Sequence, residues 1–147
     1  MASEDIGLAD PNALSVTLNA MHAAHFLGMP ECDLALAEAA VYLALAPKSN
    51  ALYSGYSEVK RDVETTVAEP VPLHMRNPVT GLMSNFGYGK GYQYAHNADD
   101  KLTDMACLPE NLKDRRYYRP TEEGLEKRLK EKLKLIEEWK KKRARGV

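Results

Sequence analysis

The chain has 147 residues and a mass of 16.4 kDa, with 20 Lys and Arg against 21 Asp and Glu. Apolar residues make up 44% and charged residues 28%, a balance typical of one soluble globular domain. This composition excludes a fully disordered chain and a collagen-like repeat. Because Cys32 and Cys107 form no C-x-x-C pair, a zinc ribbon is disfavoured. Two thiols in a chain of this length do not make a disulfide scaffold, which suits a reducing cytoplasm. The longest apolar stretch, Leu34–Ala46, contains Glu38 and is too short to span a bilayer, so we expect no membrane segment.

The first third of the chain is predicted to form two helices. The first should run from about Pro11 to Leu27, with Asp10 capping its free N–H groups. The second should run from Pro30 to about Ala46, because Pro47 disfavours helix at the residue before it. Its second half is apolar all round, so we expect this helix to be central, and its alanines should let neighbouring helices approach closely. One face of the first helix should pack through Leu14, Leu18, Met21 and His25.

The middle of the chain changes from helical to extended. The third helix should begin at Ser49 or Asn50 and continue to about Val67. Gly55 inside it costs about 1 kcal/mol relative to Ala, so we expect a close packing contact there. Three prolines then favour an extended path over Glu69–Pro78. A short helix should follow over Val79–Phe86.

The last part of the chain contains a glycine-rich turn over Gly87–Tyr94, an extended Arg115–Pro120 segment and a final helix. The turn should be docked by its tyrosines. Thr121 should cap the final helix, which would be roughly 34 Å long if it continued to Arg143. No strand alternation and no internal repeat is visible, so the predicted fold class is all-α.

Two motifs have both a ligand-binding and a structural interpretation. Gly87-x-Gly89-x-Gly91 with Lys90 could cradle a phosphate, but it lacks the Walker pattern, and we favour a turn. His22, His25 and Cys32 could share a metal, but no further ligand has a recognised spacing. We therefore expect no metal here and interpret His25 as a packing residue.

Basic side chains form two further candidate sites. Residues 121–147 hold 10 basic and 6 acidic side chains, whereas residues 1–120 hold 10 basic and 15 acidic ones. The basic end, Lys140 to Arg145, has two interpretations. Its side chains complement the dipole at the C-terminal end of a solvated helix, or they contact DNA phosphates. Arg115–Arg119 interleaves arginines with tyrosines, as single-strand binders do, although such tyrosines also anchor extended segments. His74 and Arg76 lack a catalytic partner motif, so we expect Arg76 to meet a partner or helix-end carbonyls.

Five pieces of the chain, in order, carry a resemblance to a known family. They are Ala2–Pro11, Leu43–Ala51, Val71–Asn77, Gly87–His96 and Arg116–Thr121. With them the chain resembles the C-terminal region of the RarA/MgsA family of AAA+ ATPases, relatives of Werner helicase-interacting protein. It departs from the family pattern at Pro78-Val79-Thr80 and at Ser84-Asn85.

The resemblance implies a fold and a function. Family members act at stalled replication forks, are similar to clamp-loader subunits and carry their Walker motifs N-terminal to this region. The chain is then expected to be a truncated piece, with residues 1–9 ending the ATPase lid. Residues 10–147 would form a helical oligomerisation domain similar to the clamp-loader collar. ATP and magnesium would belong to the full-length parent, and no cofactor or catalytic residue is expected here.

The resemblance also implies partners: a homotetramer of the chain itself, and single-stranded-DNA-binding protein and DNA through the parent. The predicted function is non-catalytic assembly that positions the ATPase modules on DNA. The alternative is a nucleic-acid-binding module that uses the Arg/Tyr segment and the basic helix end. Candidate partner or interface contacts are Lys48, Asn50, Arg76, Asn77, Tyr88, Tyr92, Arg116, Tyr117 and Tyr118. Candidate DNA contacts are Lys140, Lys141, Lys142 and Arg143.

Overall fold

A computed structural model describes residues 1–144, and these residues contain helices, turns and irregular segments but no β-strand. The predicted all-α class is confirmed. The chain forms two compact units. One comprises Met1–Asp62 and Tyr117–Leu133, and the other comprises Val63–Arg116 and the residues from Lys134 onward.

The described residues contain five α-helices: α1 Asn12–Leu27, α2 Asp33–Leu45, α3 Ala51–Thr65, α4 Gly81–Asn85 and α5 Glu126–Ala144. Shorter helical turns lie at Ala2–Ile6, Gly7–Ala9, Leu73–Met75, Ala95–Asn97 and Glu110–Leu112. Asp10 accepts a hydrogen bond from the Asn12 N–H at 3.1 Å, as its predicted capping role requires. None of the helices in residues 1–144 is both long enough and apolar enough to cross a bilayer.

Small side chains form the core of the first unit. Ala13 of α1 is fully buried, Ala39 is the buried residue of α2, and Ile6 is the largest buried apolar side chain. Helices α1 and α2 contact each other directly. Alanines at a contact let two helix backbones approach closely, so the larger side chains of both helices project elsewhere.

This packing corrects two expectations. Helix α2 is not central, because Leu34 and Leu45 are 83% and 80% exposed. The predicted packing face of α1 is also wrong. Its Leu14, Leu18 and Met21 are exposed, and so is His25, whose ring meets Phe26 edge-on with centroids 5.0 Å apart.

The start of α5 differs from the sequence prediction. The helix begins at Glu126, not Thr121, and its 19 residues span about 28 Å. Gly124 is the cause, because its φ of +50° is left-handed. A Cβ on Gly124 would lie 2.1 Å from the Ala9 carbonyl oxygen, and that oxygen accepts the Leu125 N–H at 2.8 Å.

Gly55 makes the close contact that the sequence predicted. It is buried in α3, and a Cβ added there would lie 2.6 Å from the Tyr117 carbonyl oxygen. The absence of a side chain therefore lets the extended segment before α5 lie against the α3 backbone.

We expect Gly55→Ala to destabilise the chain by about 1–3 kcal/mol, because the backbone of either segment must shift to admit the methyl group. Urea unfolding at fixed protein concentration measures the change. Gly81→Ala is the matched control, since a Cβ at Gly81 meets nothing within 4 Å. An unchanged free energy of unfolding for Gly55→Ala would contradict the close contact.

Candidate functional site

A single buried carboxylate connects three segments of the first unit. Glu126, the first residue of α5, is fully buried. Its Oε2 accepts hydrogen bonds from the Ser49 hydroxyl at 2.7 Å, and from the Thr121 N–H and hydroxyl at 2.8 Å each. Its Oε1 accepts the Tyr118 hydroxyl at 3.0 Å. Four donors directed at two oxygens suit an ionised carboxylate.

The hydrogen bonds also set the ionisation of this group. Burial by itself would raise the pKa of Glu126, but the hydrogen bonds from Thr121, Ser49 and Tyr118 outweigh it and hold that pKa below its ordinary value. Burial, followed by the hydrogen bond to Glu126, raises the pKa of Tyr118. The carboxylate is therefore charged, and Tyr118 stays protonated as its donor.

Sequence reasoning missed this role of Glu126. It lies four residues before Lys130, which suggests a surface ion pair. In the structure Lys130 donates instead to Glu122, at 2.5 Å. The sequence did contain a signal for this role. A capping box that starts at Thr121 would need Glu or Gln three residues later, but that position is Gly124. Glu126 makes the contact with Thr121 instead.

The part of the Arg/Tyr segment that belongs to the first unit, residues 117–119, is held there by its own side chains. The Tyr117 hydroxyl donates to the buried Asp62 at 3.0 Å, and Arg119 pairs with Glu58 at 2.6 Å. Together with the Tyr118–Glu126 bond, these contacts anchor the segment. Arg116 is exposed, and its guanidinium donates to the Arg115 carbonyl at 3.0 Å.

Lys48 and Asn50 lie together between α2 and α3. The Lys48 ammonium donates to the Leu43 and Ala46 carbonyls, both at 2.7 Å. These carbonyls are at the C-terminal end of α2, where no intrahelical donor is available. Asn50 is exposed. Both residues line an open cleft of about 480 Å³ with Asp5, Ser49 and Thr121.

The second unit brings four of the candidate contacts together. Arg76 donates to the Val71 carbonyl at 2.6 Å and to the Tyr88 hydroxyl at 3.2 Å, and its guanidinium lies 5.2 Å from the centre of the Tyr88 ring. Arg76, Asn77 and Tyr92 line a cleft of about 350 Å³, completed by His74, Met75, Pro78 and Gly89.

The glycine-rich segment is a turn, as we favoured. Gly87, Gly89 and Gly91 all have positive φ, between +71° and +85°. The Gly89 N–H donates to the Leu73 carbonyl at 3.0 Å. Tyr92, however, is 52% exposed and Tyr94 is 55% exposed. The prediction that the tyrosines together dock this turn is wrong, because only Tyr88 is half-buried.

The basic end of α5 makes contacts within the second unit. The Trp139 indole N–H donates to Asp100 at 2.8 Å. The Arg143 guanidinium lies 5.3 Å from the centre of the Trp139 ring and 3.7 Å from the Asp104 carboxylate. Lys140 is half-buried, Lys141 and Lys142 are exposed, and Arg145 of the predicted basic end lies outside the described residues.

The candidate metal ligands are not gathered into a site. His22 and His25 are exposed on α1, whereas Cys32 is buried and donates to the Met29 sulfur at 3.4 Å. In the part of the chain that the structure describes, no group of three His, Cys, Asp or Glu is arranged to hold a metal ion.

Exposed apolar side chains are concentrated on α1 and α2. Helix α1 carries no Asp, Glu, Lys or Arg, and α2 carries only Asp33 and Glu38. Phe26 is 78% exposed. We call this the apolar helix surface; its exposed members are Leu14, Leu18, Met21, Phe26, Leu27, Leu34, Leu36, Val41 and Leu45.

Comparison with known proteins identifies the family. Residues 1–137 match the family described as MgsA AAA+ ATPase C terminal. The chain belongs to this family. It is 49% identical over 134 residues to replication-associated recombination protein A of Coxiella burnetii, covering 90% of this chain and 30% of that protein.

Other relatives of this MgsA C-terminal domain come from bacteria and from a eukaryote. The chain is 41% identical over 139 residues to replication-associated recombination protein A of Escherichia coli, covering 94% of this chain and 31% of that protein. It is 45% identical over 119 residues to ATPase WRNIP1 of Dictyostelium discoideum, covering 80% and 14% respectively. The chain thus spans less than a third of the length of these relatives.

We expect Glu126→Gln to destabilise this MgsA C-terminal domain by about 2 kcal/mol at pH 7. The amide removes the charge and places an NH₂ group where the carboxylate accepts hydroxyl and N–H donors. Urea unfolding at fixed protein concentration measures the loss. Glu131→Gln, at an exposed position of the same helix, is the control and should change stability by less than about 0.5 kcal/mol. Equal stabilities for the two variants would contradict the role of Glu126.

The contribution of Glu126 should also depend on pH. Its pKa in the folded state lies below its ordinary value, so its stabilising effect is complete above the unfolded pKa of about 4.3. The effect is lost as pH falls through the folded pKa. Urea unfolding at a series of pH values from 7 to 3 should therefore show the wild type and Glu126→Gln converging in acid. A constant difference across this range would show that ionisation of Glu126 does not matter.

Proposed function

We propose that this chain is the non-catalytic assembly domain of a longer AAA+ ATPase. It would hold four copies together so that their ATPase modules are positioned on DNA. Residues 10–147 form this domain in the proposal, and residues 1–9 end the ATPase lid. ATP and magnesium would bind in the parent outside this chain. The relatives, a replication-associated recombination protein and an ATPase, are longer proteins and support this place in a larger protein.

The apolar helix surface is the observation on which the assembly role rests. Soluble monomers rarely expose contiguous apolar patches beyond a few hundred Å². Burying one Leu, Val, Met or Phe side chain contributes about 1.5–3 kcal/mol. Partial burial of nine such side chains is enough to offset the cost of association, about 4–15 kcal/mol.

Nucleic-acid binding by the Arg/Tyr segment has less support. Single-strand binders stack bases on accessible aromatic rings. Tyr117 and Tyr118 are half-buried, and their hydroxyls are bonded to Asp62 and Glu126. Arg143, a candidate phosphate contact, lies against Trp139 and Asp104. In the proposal, DNA and single-stranded-DNA-binding protein are contacted in the cytoplasm through the parent.

The chain should self-associate in solution. Multi-angle light scattering coupled to size exclusion should give four times the 16.4 kDa of one chain, about 66 kDa, at micromolar concentration. A mass of one chain across about 1–100 µM would contradict the proposal, since a Kd above that range is too weak for a stable assembly.

A paired variant identifies the surface. Leu34→Ser with Leu45→Ser removes two of the most exposed side chains of the apolar helix surface and should weaken assembly at least tenfold, or by about 1.4 kcal/mol. Leu82→Ser with Val79→Ser is the matched control in the second unit, where these side chains are 66% and 76% exposed. Equal assembly of both variants would exclude the apolar helix surface as the contact.

A further inference from the structure

One stripe of α2 combines apolar side chains with a carboxylate. Leu34, Glu38, Val41 and Leu45 follow one another at spacings of four, three and four residues, so they share one face of the helix. All four are exposed. A charge within an otherwise apolar exposed face points to a partner that supplies the opposite charge.

A cleft of about 440 Å³ adjoins this stripe and contains a second carboxylate. It is lined by Asp10, Glu38, Val41, Tyr42, Leu45, Ala46 and Pro47. Asp10 is fixed by the Tyr42 hydroxyl at 2.6 Å and by the Asn12 N–H at 3.1 Å. Both donors are neutral, so the negative charge of Asp10 is oriented but not compensated by them.

The chemistry of the cleft fits a long cationic side chain. Lys and Arg lay an aliphatic stem along apolar surface and place the charge at its end. Val41, Leu45 and Pro47 supply the apolar walls, and Asp10 and Glu38 supply the negative charge. Residues 11–46 contain Glu31, Asp33 and Glu38 but no Lys or Arg. The Lys48 ammonium nearby is already engaged by the Leu43 and Ala46 carbonyls, so α1 and α2 themselves supply no cation to the cleft.

Helix α5 carries cations of this kind. Arg128 and Lys132 are exposed and lie four residues apart, on one face of the helix. Among residues 1–144, neither forms an ion pair, and neither does Glu38. The acidic and basic elements of the chain are thus both open to a second copy.

We propose that the Asp10–Glu38 cleft of one copy binds the Arg128–Lys132 face of α5 from a second copy. The apolar helix surface contributes the area, and the charged contacts fix which helix of the neighbour it meets. This inference rests on the proposed self-association and names the part of the second copy that fills the cleft.

Charge reversal tests the pairing in the full 147-residue chain. Glu38→Lys alone, and Arg128→Glu with Lys132→Glu, should each weaken assembly at least tenfold at low salt. The triple variant that combines all three should bind at least threefold more tightly than the Arg128→Glu, Lys132→Glu variant, because the cation introduced at position 38 then attracts the two introduced carboxylates, while Asp10 keeps the recovery partial. Light scattering over a dilution series gives the Kd, and circular dichroism checks that each variant is folded.

Glu69→Lys is the matched control, because it makes the same change in net charge at an exposed position of the second unit. It should leave the Kd within about twofold of wild type.

If the wild type assembles and the reversals leave its Kd unchanged, the pairing is overturned and the assembly role stands. If the reversals weaken assembly and the triple variant does not recover, α5 of a second copy is not the occupant, and the pairing is also overturned. A wild type that stays monomeric overturns the assembly role itself.

Discussion

The first unit depends on the Glu126 carboxylate. A buried charge is costly unless its oxygens are hydrogen-bonded, and here Ser49, Tyr118 and Thr121 provide all of the required donors from two other segments. Removing any of these segments would leave a charge or a hydroxyl without its partner. This mutual dependence holds Tyr118 and Thr121 beside Ser49, and Gly124 sets the point at which α5 begins.

The packing of α1 against α2 leaves large apolar side chains on the surface. The residues that these two helices bury are alanines, and their exposed side chains include leucines, a methionine and a phenylalanine. A fold of this kind is stabilised internally by small side chains and polar contacts. The exposed apolar side chains of α1 and α2 are the physical basis of the proposed assembly role.

Several residues chosen as partner contacts hold the chain itself together. Lys48 caps the carbonyl end of α2, Tyr117 and Tyr118 anchor the segment before α5, and Arg76 joins Val71 to Tyr88. Motif residues of the MgsA C-terminal family are therefore explained in part by packing. In the proposal, recognition falls instead to the exposed faces of α1, α2 and α5.

The sequence alone determined the all-α class, the family, the approximate extent of α1 to α4, the glycine turn and the close contact at Gly55. The family follows from the resemblance of five pieces of the chain to known members, and the other features follow from local rules of spacing, capping and backbone freedom. Tertiary structure alone decided which side of each apolar helix faces inward, because a helix that is apolar all round has no preferred face in its own sequence. It also decided the role of Glu126, since its donors Ser49 and Tyr118 lie 77 and 8 residues away along the chain and only folding brings them to one carboxylate.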